Sequence, residues 1–389
     1  FLEAHIDLAG VLWRVSDFDC ALAHARRAVA IAPEHPHAVR MLGTALLNLN
    51  CLEEAEIQLR RALQLQPDFA LAQLDLALAL LAAGRLDEGW PWYEQRWKET
   101  GQLQRPAFFD PAREWRGPQA QPLAGRRIAV YAEQGLGDVL QFVRYVPLLQ
   151  AQGATVFCIV HAELAALLES SLPGVLCQGP QRQVDVDLHV ALLSLPLHFK
   201  TTLATIPDAV PYLRAPAAAA QRCRERLAPW QAKFKVGIAW SGFLGQINNR
   251  NRAIPLGLLQ PVLAFPGVQC FSLQKAAAGL FSDVAPGPEQ LVDFTAGWDD
   301  FRDSAAMLEQ LDLVITVDTS IAHLAGALGR PAWVLLAPNA DWRWLLGRDD
   351  SPWYPSMQLF RRDFGEHRAA QVGRVVQALR VRMQHHAAA

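Results

Sequence analysis

The chain has 389 residues, 51% hydrophobic and 19% charged, which excludes a disordered or fibrous protein and allows sizeable buried cores. Thirty-six basic residues against 38 acidic ones leave a net charge of −2, and no basic excess points to a nucleic-acid partner. The richest apolar stretch, Leu71 to Ala83, contains Gln73 and Asp75, so no membrane span is expected. Six scattered cysteines without a CxxC pair read as free thiols in a reducing, cytoplasmic compartment rather than as disulfides or zinc ligands. The chain opens on Phe1 inside a helical pattern, so repeat sequence is expected to precede it.

The first hundred residues repeat. Pro33 and Pro67, Ala21 and Ala55, Ala28 and Ala62, and Leu8 and Leu42 share a period of 34 residues. Small residues at these places let paired helices approach closely, large ones fill the grooves between them, and proline ends the second helix. This is the tetratricopeptide pattern, and it predicts a helical repeat domain over residues 1–99, about two and a half repeats long. Stacked repeats make a concave surface suited to a peptide or protein segment. Trp90, Tyr93 and Trp97 are expected to share one helix face and, with Trp92, to cap the solenoid. Residues 100–123, rich in Pro, Gly, Gln and Arg, read as a linker.

The rest alternates strand and helix. Strands are expected at Ile128–Tyr131, Thr155–Val160 and Val186–Val190, with helices at Val139–Gln150 and Ala162–Ser170. A second series has strands at Lys235–Trp240, Gln269–Leu273, Leu313–Val317 and Ala332–Leu336, and helices at 256–264, 303–310 and Ile321–Leu328. This predicts two doubly wound, Rossmann-like α/β halves, residues 124–214 and 235–389. A ligand cleft is expected at the C-terminal ends of their strands.

Several residues fall at those ends. Gly135 and Gly137 allow a tight turn or a close ligand, and Asp138 stands at a helix start, either as a helix cap or as a group facing the cleft. Asp318, Thr319, Ser320, Ile321 and His323 follow a strand and open a helix, whose free N–H groups suit a phosphate. His323 is alternatively a packed structural histidine. Trp240 and Ser241, then Gln274 and Lys275, end two other strands, and Arg252 lies in the polar loop Gly245–Arg252. Lys275 and Arg252 suit a diphosphate. No GxxxxGK[ST] loop is present, and Asp185-x-Asp187 precedes a strand, so it reads as structural rather than as a metal clamp.

On Gly137-Asp138 and the DTxxxHLxxAL pattern at Asp318–Leu328, the second part resembles the ADP-heptose:lipopolysaccharide heptosyltransferase group, glycosyltransferases of the GT-B fold. It is more closely similar to bacterial proteins that fuse tetratricopeptide repeats to such a domain. The shared motifs are EQGLGD (Glu133–Asp138), QFxRYxP (Gln141–Pro147), SLQK (Ser272–Lys275), DWRWLL (Asp341–Leu346) and DSPWYP (Asp350–Pro355). The resemblance implies an inverting, metal-independent transfer of a sugar from a nucleotide-sugar to a hydroxyl, with no cofactor. Asp138 then matches the catalytic base, Arg252 the cation facing the donor diphosphate, and Asp318, Thr319, Ser320 and His323 the donor loop. It further implies a protein acceptor held by the repeats, flagellin among the candidates. Asn249 and Ala253 depart from the Asp-x-x-Arg-Ser-Ile-Pro of relatives, and Ser320 stands where heptosyltransferases have glycine, which leaves the donor open. A catalytically inactive scaffold, a glycan-directed heptosyltransferase-like enzyme and a sugar-nucleotide epimerase stay open as alternatives.

Overall fold

A computed structural model of the chain describes residues 1–99, 103–179, 185–242, 245, 248–275, 287 and 289–388. The backbone gathers into two compact units. One comprises Phe1–Arg105, Ser194–Ile206 and Asn339–Arg348; the other comprises Pro106–Leu193, Pro207–Pro338 and Asp349–Ala389.

In the first unit, six helices form three antiparallel pairs: α1 (Leu2–Arg14) with α2 (Phe18–Ile31), α3 (Pro36–Asn48) with α4 (Leu52–Leu65), and α5 (Ala70–Ala82) with α6 (Leu86–Tyr93). The turn inside each pair repeats with the sequence. Ser16, Asn50 and Gly84 all take a positive φ, and the next residue in each case donates its N–H to Leu12, Leu46 or Leu80. That left-handed turn residue ends the first helix of every pair. The small positions are packed as expected: Ala21, Ala55, Ala28 and Ala62 are buried. At Gly43 an added Cβ would lie 2.7 Å from Leu59 Cγ, so the α3–α4 crossing depends on the missing side chain.

The aromatic end differs from expectation. Helix α6 stops at Tyr93 and a separate turn of helix runs Arg96–Glu99, so Trp97 does not continue the face of Trp90 and Tyr93. Those two are buried and meet Trp342 edge to face, with centroids 5.5 and 6.0 Å away. Trp90 Nε1 donates to the Thr201 carbonyl at 2.9 Å, and Arg96 Nη2 donates to Ser194 Oγ at 2.8 Å. Segments 194–206 and 339–348 therefore complete the unit, although they lie in the sequence of the α/β halves.

The second unit holds two all-parallel sheets. The first has strands β1 (Arg127–Tyr131), β2 (Thr155–Ile159), β3 (Leu176–Gln178) and β4 (Leu188–Ala191), in the order β3-β2-β1-β4. The second has β5 (Phe234–Ala239), β6 (Val268–Ser272), β7 (Leu291–Asp293), β8 (Leu313–Val317), β9 (Ala332–Leu336) and β10 (Met357–Arg361), in the order β10-β9-β8-β5-β6-β7. Strands β8 and β9 are buried on both faces, as their apolar runs LVITV and AWVLL require. The order of the second sheet reverses between β5 and β8, and that of the first between β1 and β4. At such reversals the flanking loops diverge and leave a crevice.

The helix expected at Val139–Gln150 is broken. It runs Leu136–Phe142, passes through a 3-10 turn, and resumes at Val146–Ala151 around Pro147. The stretch 256–264 is a 3-10 turn followed by one short turn of helix at Gln260–Leu263. Part of the expected linker is instead packed: Trp115 is fully buried, its N–H donates to the His189 carbonyl at 2.8 Å, and Glu114 bridges to His189 beside β4. Residues 100–102 of that segment lie outside the described residues. Asp185 and Asp187 hold Arg127, as side-chain and backbone partners at 2.9 and 2.8 Å, which is a structural use of that pair.

Candidate functional site

The site forms where the two sheet reversals face each other. In the first half, the chain leaves β1 through Glu133–Gly135 into the helix Leu136–Phe142. Glu133 Oε1 accepts the N–H of Leu193, which ties this loop to the end of β4 at 3.2 Å. Asp138 lies in the first turn of the helix, and its Oδ2 accepts the Gly135 N–H at 2.8 Å. The carboxylate thus caps the helix, and it also sits at the positive end of its dipole.

The turn does not need glycine for its dihedrals. Gly135 has φ of −73°, and Gly137, within the helix, does not have a positive φ. The expectation of a glycine-enabled tight turn is corrected here, because Gly137 is needed for proximity. A Cβ on it would lie 2.8 Å from His323 Cδ2 and 3.7 Å from Ser320 Cα. The helix carrying Asp138 therefore packs directly on the start of the helix Ser320–Ala327 from the other half.

That second helix opens beyond β8. Thr319 is its N-cap, with Oγ1 accepting the Ile321 N–H at 3.2 Å. Ile321 is buried, and His323 is 6% exposed with Nδ1 2.9 Å from the Tyr354 hydroxyl. Tyr354 lies flat on the helix at Gly326, where a Cβ would meet its ring within 2.2 Å. His323 is thus packed between Tyr354 and Gly137. Burial raises the Tyr354 pKa well above its ordinary value, so the phenol stays protonated beside the imidazole.

Across the second reversal, pairing of Ala239 with Thr316 sets Trp240–Gly242 beside Asp318–Ser320. Ser241 donates its N–H to Gln274 Oε1 at 3.1 Å. Arg252 reaches the same point: Nη1 donates to the Asp318 carbonyl at 2.8 Å, and Nε to Asn249 Oδ1 at 3.2 Å. Its guanidinium covers Gly242, where a Cβ would collide with Nη2. Lys275 is exposed, and its Nζ donates to the Trp298 carbonyl at 2.5 Å. Trp240 is corrected: it is 3% exposed, within the apolar core of the second sheet, and offers no ring face for a donor. Residues 246 and 247 of the polar loop lie outside the described residues.

Two residues carry more of the site than the sequence reading assigned them. Asn249 is 3% exposed and accepts the Gly242 N–H at 3.0 Å and Arg252 Nε, while its Nδ2 donates to Ser241 Oγ at 3.3 Å. Its departure from the relatives' pattern was the available signal. Arg144, in the QFxRYxP motif, is 4% exposed and, among the described residues, forms no ion pair. It donates to the carbonyls of Gln141 (2.8 Å), Trp353 (2.8 Å) and Pro207 (3.2 Å) and to the Tyr212 hydroxyl (3.0 Å). Burial opposes its charge, but the oxygens of Tyr212 and Tyr354 outweigh it and hold the pKa above its usual value. Among the described residues, no group of three or more His, Cys, Asp or Glu side chains is placed to hold a metal ion.

Residues 293–370 match the family description glycosyltransferase family 9 (heptosyltransferase). Protein FlbA of Caulobacter vibrioides is 29% identical over 413 residues, covering 96% of this chain. The chain spans 66% of the length of that relative. Among solved structures, E. coli ADP-heptose lps heptosyltransferase II is similar with a TM-score of 0.47 at 14% identity, over 66% of this chain and 98% of that one. TibC, an iron-containing dodecameric glycosyltransferase from enterotoxigenic E. coli, is similar with a TM-score of 0.46 at 16% identity, over 68% and 78%. The observed fold and the matched segment define the class: helical repeats joined to a two-sheet α/β glycosyltransferase domain. More particularly, residues 293–370 of that domain are similar to glycosyltransferase family 9 (heptosyltransferase).

Proposed function

We propose that the chain transfers a sugar from a nucleotide-sugar to a hydroxyl group, with inversion and without a metal. The observation that carries this is the packing of Gly137 against His323 and Ser320, which brings the helix start bearing Asp138 onto the donor loop of the matched segment. In this reading the donor diphosphate lies at the reversal between β5 and β8. Thr319, Ser320 and the helix N-terminus stabilise its developing charge, with Arg252 and Lys275 as the nearby cations. Asp318, at the end of β8, takes the sugar hydroxyls. Asp138 accepts the proton of the acceptor hydroxyl as its oxygen attacks the anomeric carbon and the nucleoside diphosphate leaves. Gly135, Gly137, Ile321 and His323 shape this site rather than touch the reacting atoms.

We further propose a protein acceptor, with serine or threonine as the modified residue, held by the repeats. The repeat region offers an extended surface of the kind that binds chain segments. A flagellin acceptor rests on the family resemblance. The setting we propose is cytoplasmic: the six cysteines are free thiols, and among the described residues no helix is long and apolar enough to cross a membrane.

Asp138→Asn separates the base from the cap, because an asparagine oxygen still accepts the Gly135 N–H. Turnover with a reactive nucleotide-sugar should fall by about 10²-fold or more, with donor affinity nearly unchanged. Wild-type turnover in this variant would reduce Asp138 to a helix cap.

A further inference from the structure

A second cluster of cations lies against the backbone of the turn that carries Arg252. Pro255, Leu258, Arg362, Glu366, His367 and Arg368 line a cavity of about 300 Å³. Arg362 follows β10, and Arg368 begins the long helix Arg368–Ala388. Both guanidinium groups are half-buried. Arg368 Nη2 donates to the carbonyls of Arg250 (2.7 Å) and Asn251 (3.3 Å). Arg362 donates to the carbonyls of Glu366 (3.2 Å) and Asn251 (3.4 Å). Carbonyls satisfy N–H groups but neutralise no charge.

The single carboxylate on the wall is already committed. Glu366 pairs with Arg374 and accepts the Asp363 N–H at 3.0 Å. Among the described residues, neither Arg362 nor Arg368 has an ion-pair partner, and Arg368 Nε is buried with no hydrogen-bond partner. Burial lowers the pKa of both arginines, and for Arg362 the neighbouring Arg368 adds to the effect. The first turn of a 21-residue helix adds its positive end to the same place. Glu366 offsets part of the Arg362 charge but is shared with Arg374, so two half-buried cations around an open cavity still favour an anion between them.

We propose that this cavity is a binding site for a phosphate-class oxyanion, gripped by Arg362 and Arg368 at the N-terminus of the Arg368–Ala388 helix. The planar guanidinium forks suit the tetrahedral oxyanion, and Pro255 and Leu258 leave an apolar wall for a small organic group on it. The anion is supplied either as free phosphate or as a small phosphomonoester. This site does not depend on the glycosyltransferase reading, since it uses neither Asp138 nor the donor loop.

The test is calorimetric titration of the full chain with inorganic phosphate and, separately, with glucose 1-phosphate, repeated with ADP present. Saturable binding of one of them is expected, weakened about tenfold or more by Arg368→Gln. His367→Glu changes an exposed wall residue and places a competing carboxylate beside both arginines. It should weaken binding as strongly, and it decides the matter if Arg368→Gln does not fold. Whichever probe binds more tightly identifies the source. No saturable binding to the wild-type chain, binding unaltered in His367→Glu, or displacement of the anion by ADP would each overturn the site. The ADP arm separates the two readings: displacement moves the anion into the proposed donor cleft, whereas failure of ADP to bind counts against the donor reading alone.

Discussion

Gly137 and His323 meet across the two α/β halves, with room for no side-chain atom on the glycine: a Cβ there would stand 2.8 Å from the imidazole Cδ2. Nothing soft can yield, because the ring is buried and held by the Tyr354 hydroxyl. Gly137→Ala should therefore destabilise the chain by about 1–3 kcal/mol, the usual cost of overpacking. Gly135→Ala is the control. Its Cβ would meet only Asp138 Oδ2, at 3.4 Å, and its φ suits any residue, so a loss within about 1 kcal/mol is expected for replacing an N-cap glycine. Urea denaturation of both variants checks the contrast, and equal losses would refute it.

Arg144 is a buried cation whose partners are all neutral oxygens. Arg144→Met leaves three carbonyls and the Tyr212 hydroxyl short of a donor, and one of them, Trp353, lies in the second half. A loss of about 3 kcal/mol or more is expected. It should be seen as a lower denaturant midpoint with the denaturant dependence unchanged. A variant as stable as the wild type would mean that the surrounding oxygens find other donors.

At the proposed donor site, Arg252→Ala and Lys275→Ala each remove a cation, and nucleoside diphosphate binding should weaken about 10- to 100-fold. Asn249→Ala should act in the same direction without removing charge, since Asn249 holds both the Gly242 N–H and Arg252 Nε. Calorimetry with a nucleoside diphosphate measures all three. Unchanged affinity in Arg252→Ala and Lys275→Ala would remove the diphosphate from this reversal.

Removal of residues 1–86 should abolish transfer to a protein acceptor and spare nucleotide binding, if the repeats hold that acceptor. Held on the repeats, the acceptor reacts at a high effective concentration. Intact-mass analysis of the acceptor reads the outcome. Transfer at the original rate by the folded, shortened chain would end the acceptor proposal.

The repeats were legible because their information is local. A period of 34 residues and small residues at fixed places specify helix pairs whatever lies nearby, and Ser16, Asn50 and Gly84 show the same period in the turns. The parallel strands were legible for the same reason, as apolar runs buried on both faces. Short elements carried too weak a pattern: β3, β7 and β10 fell outside the reading, and Pro147 broke a helix that periodicity alone continued.

The sequence by itself determined the order of elements, the apolar strands and the strand ends where chemistry is placed. Only the tertiary structure decided what each of those residues touches. Trp240 turns into the core, Arg252 lies on the Asp318 carbonyl, and Gly137 serves the approach of His323 rather than a tight turn. The reason is distance along the chain. A strand's pattern is set by its immediate neighbours, whereas these partners are 66 to 186 residues apart and meet only through the order of strands in the two sheets.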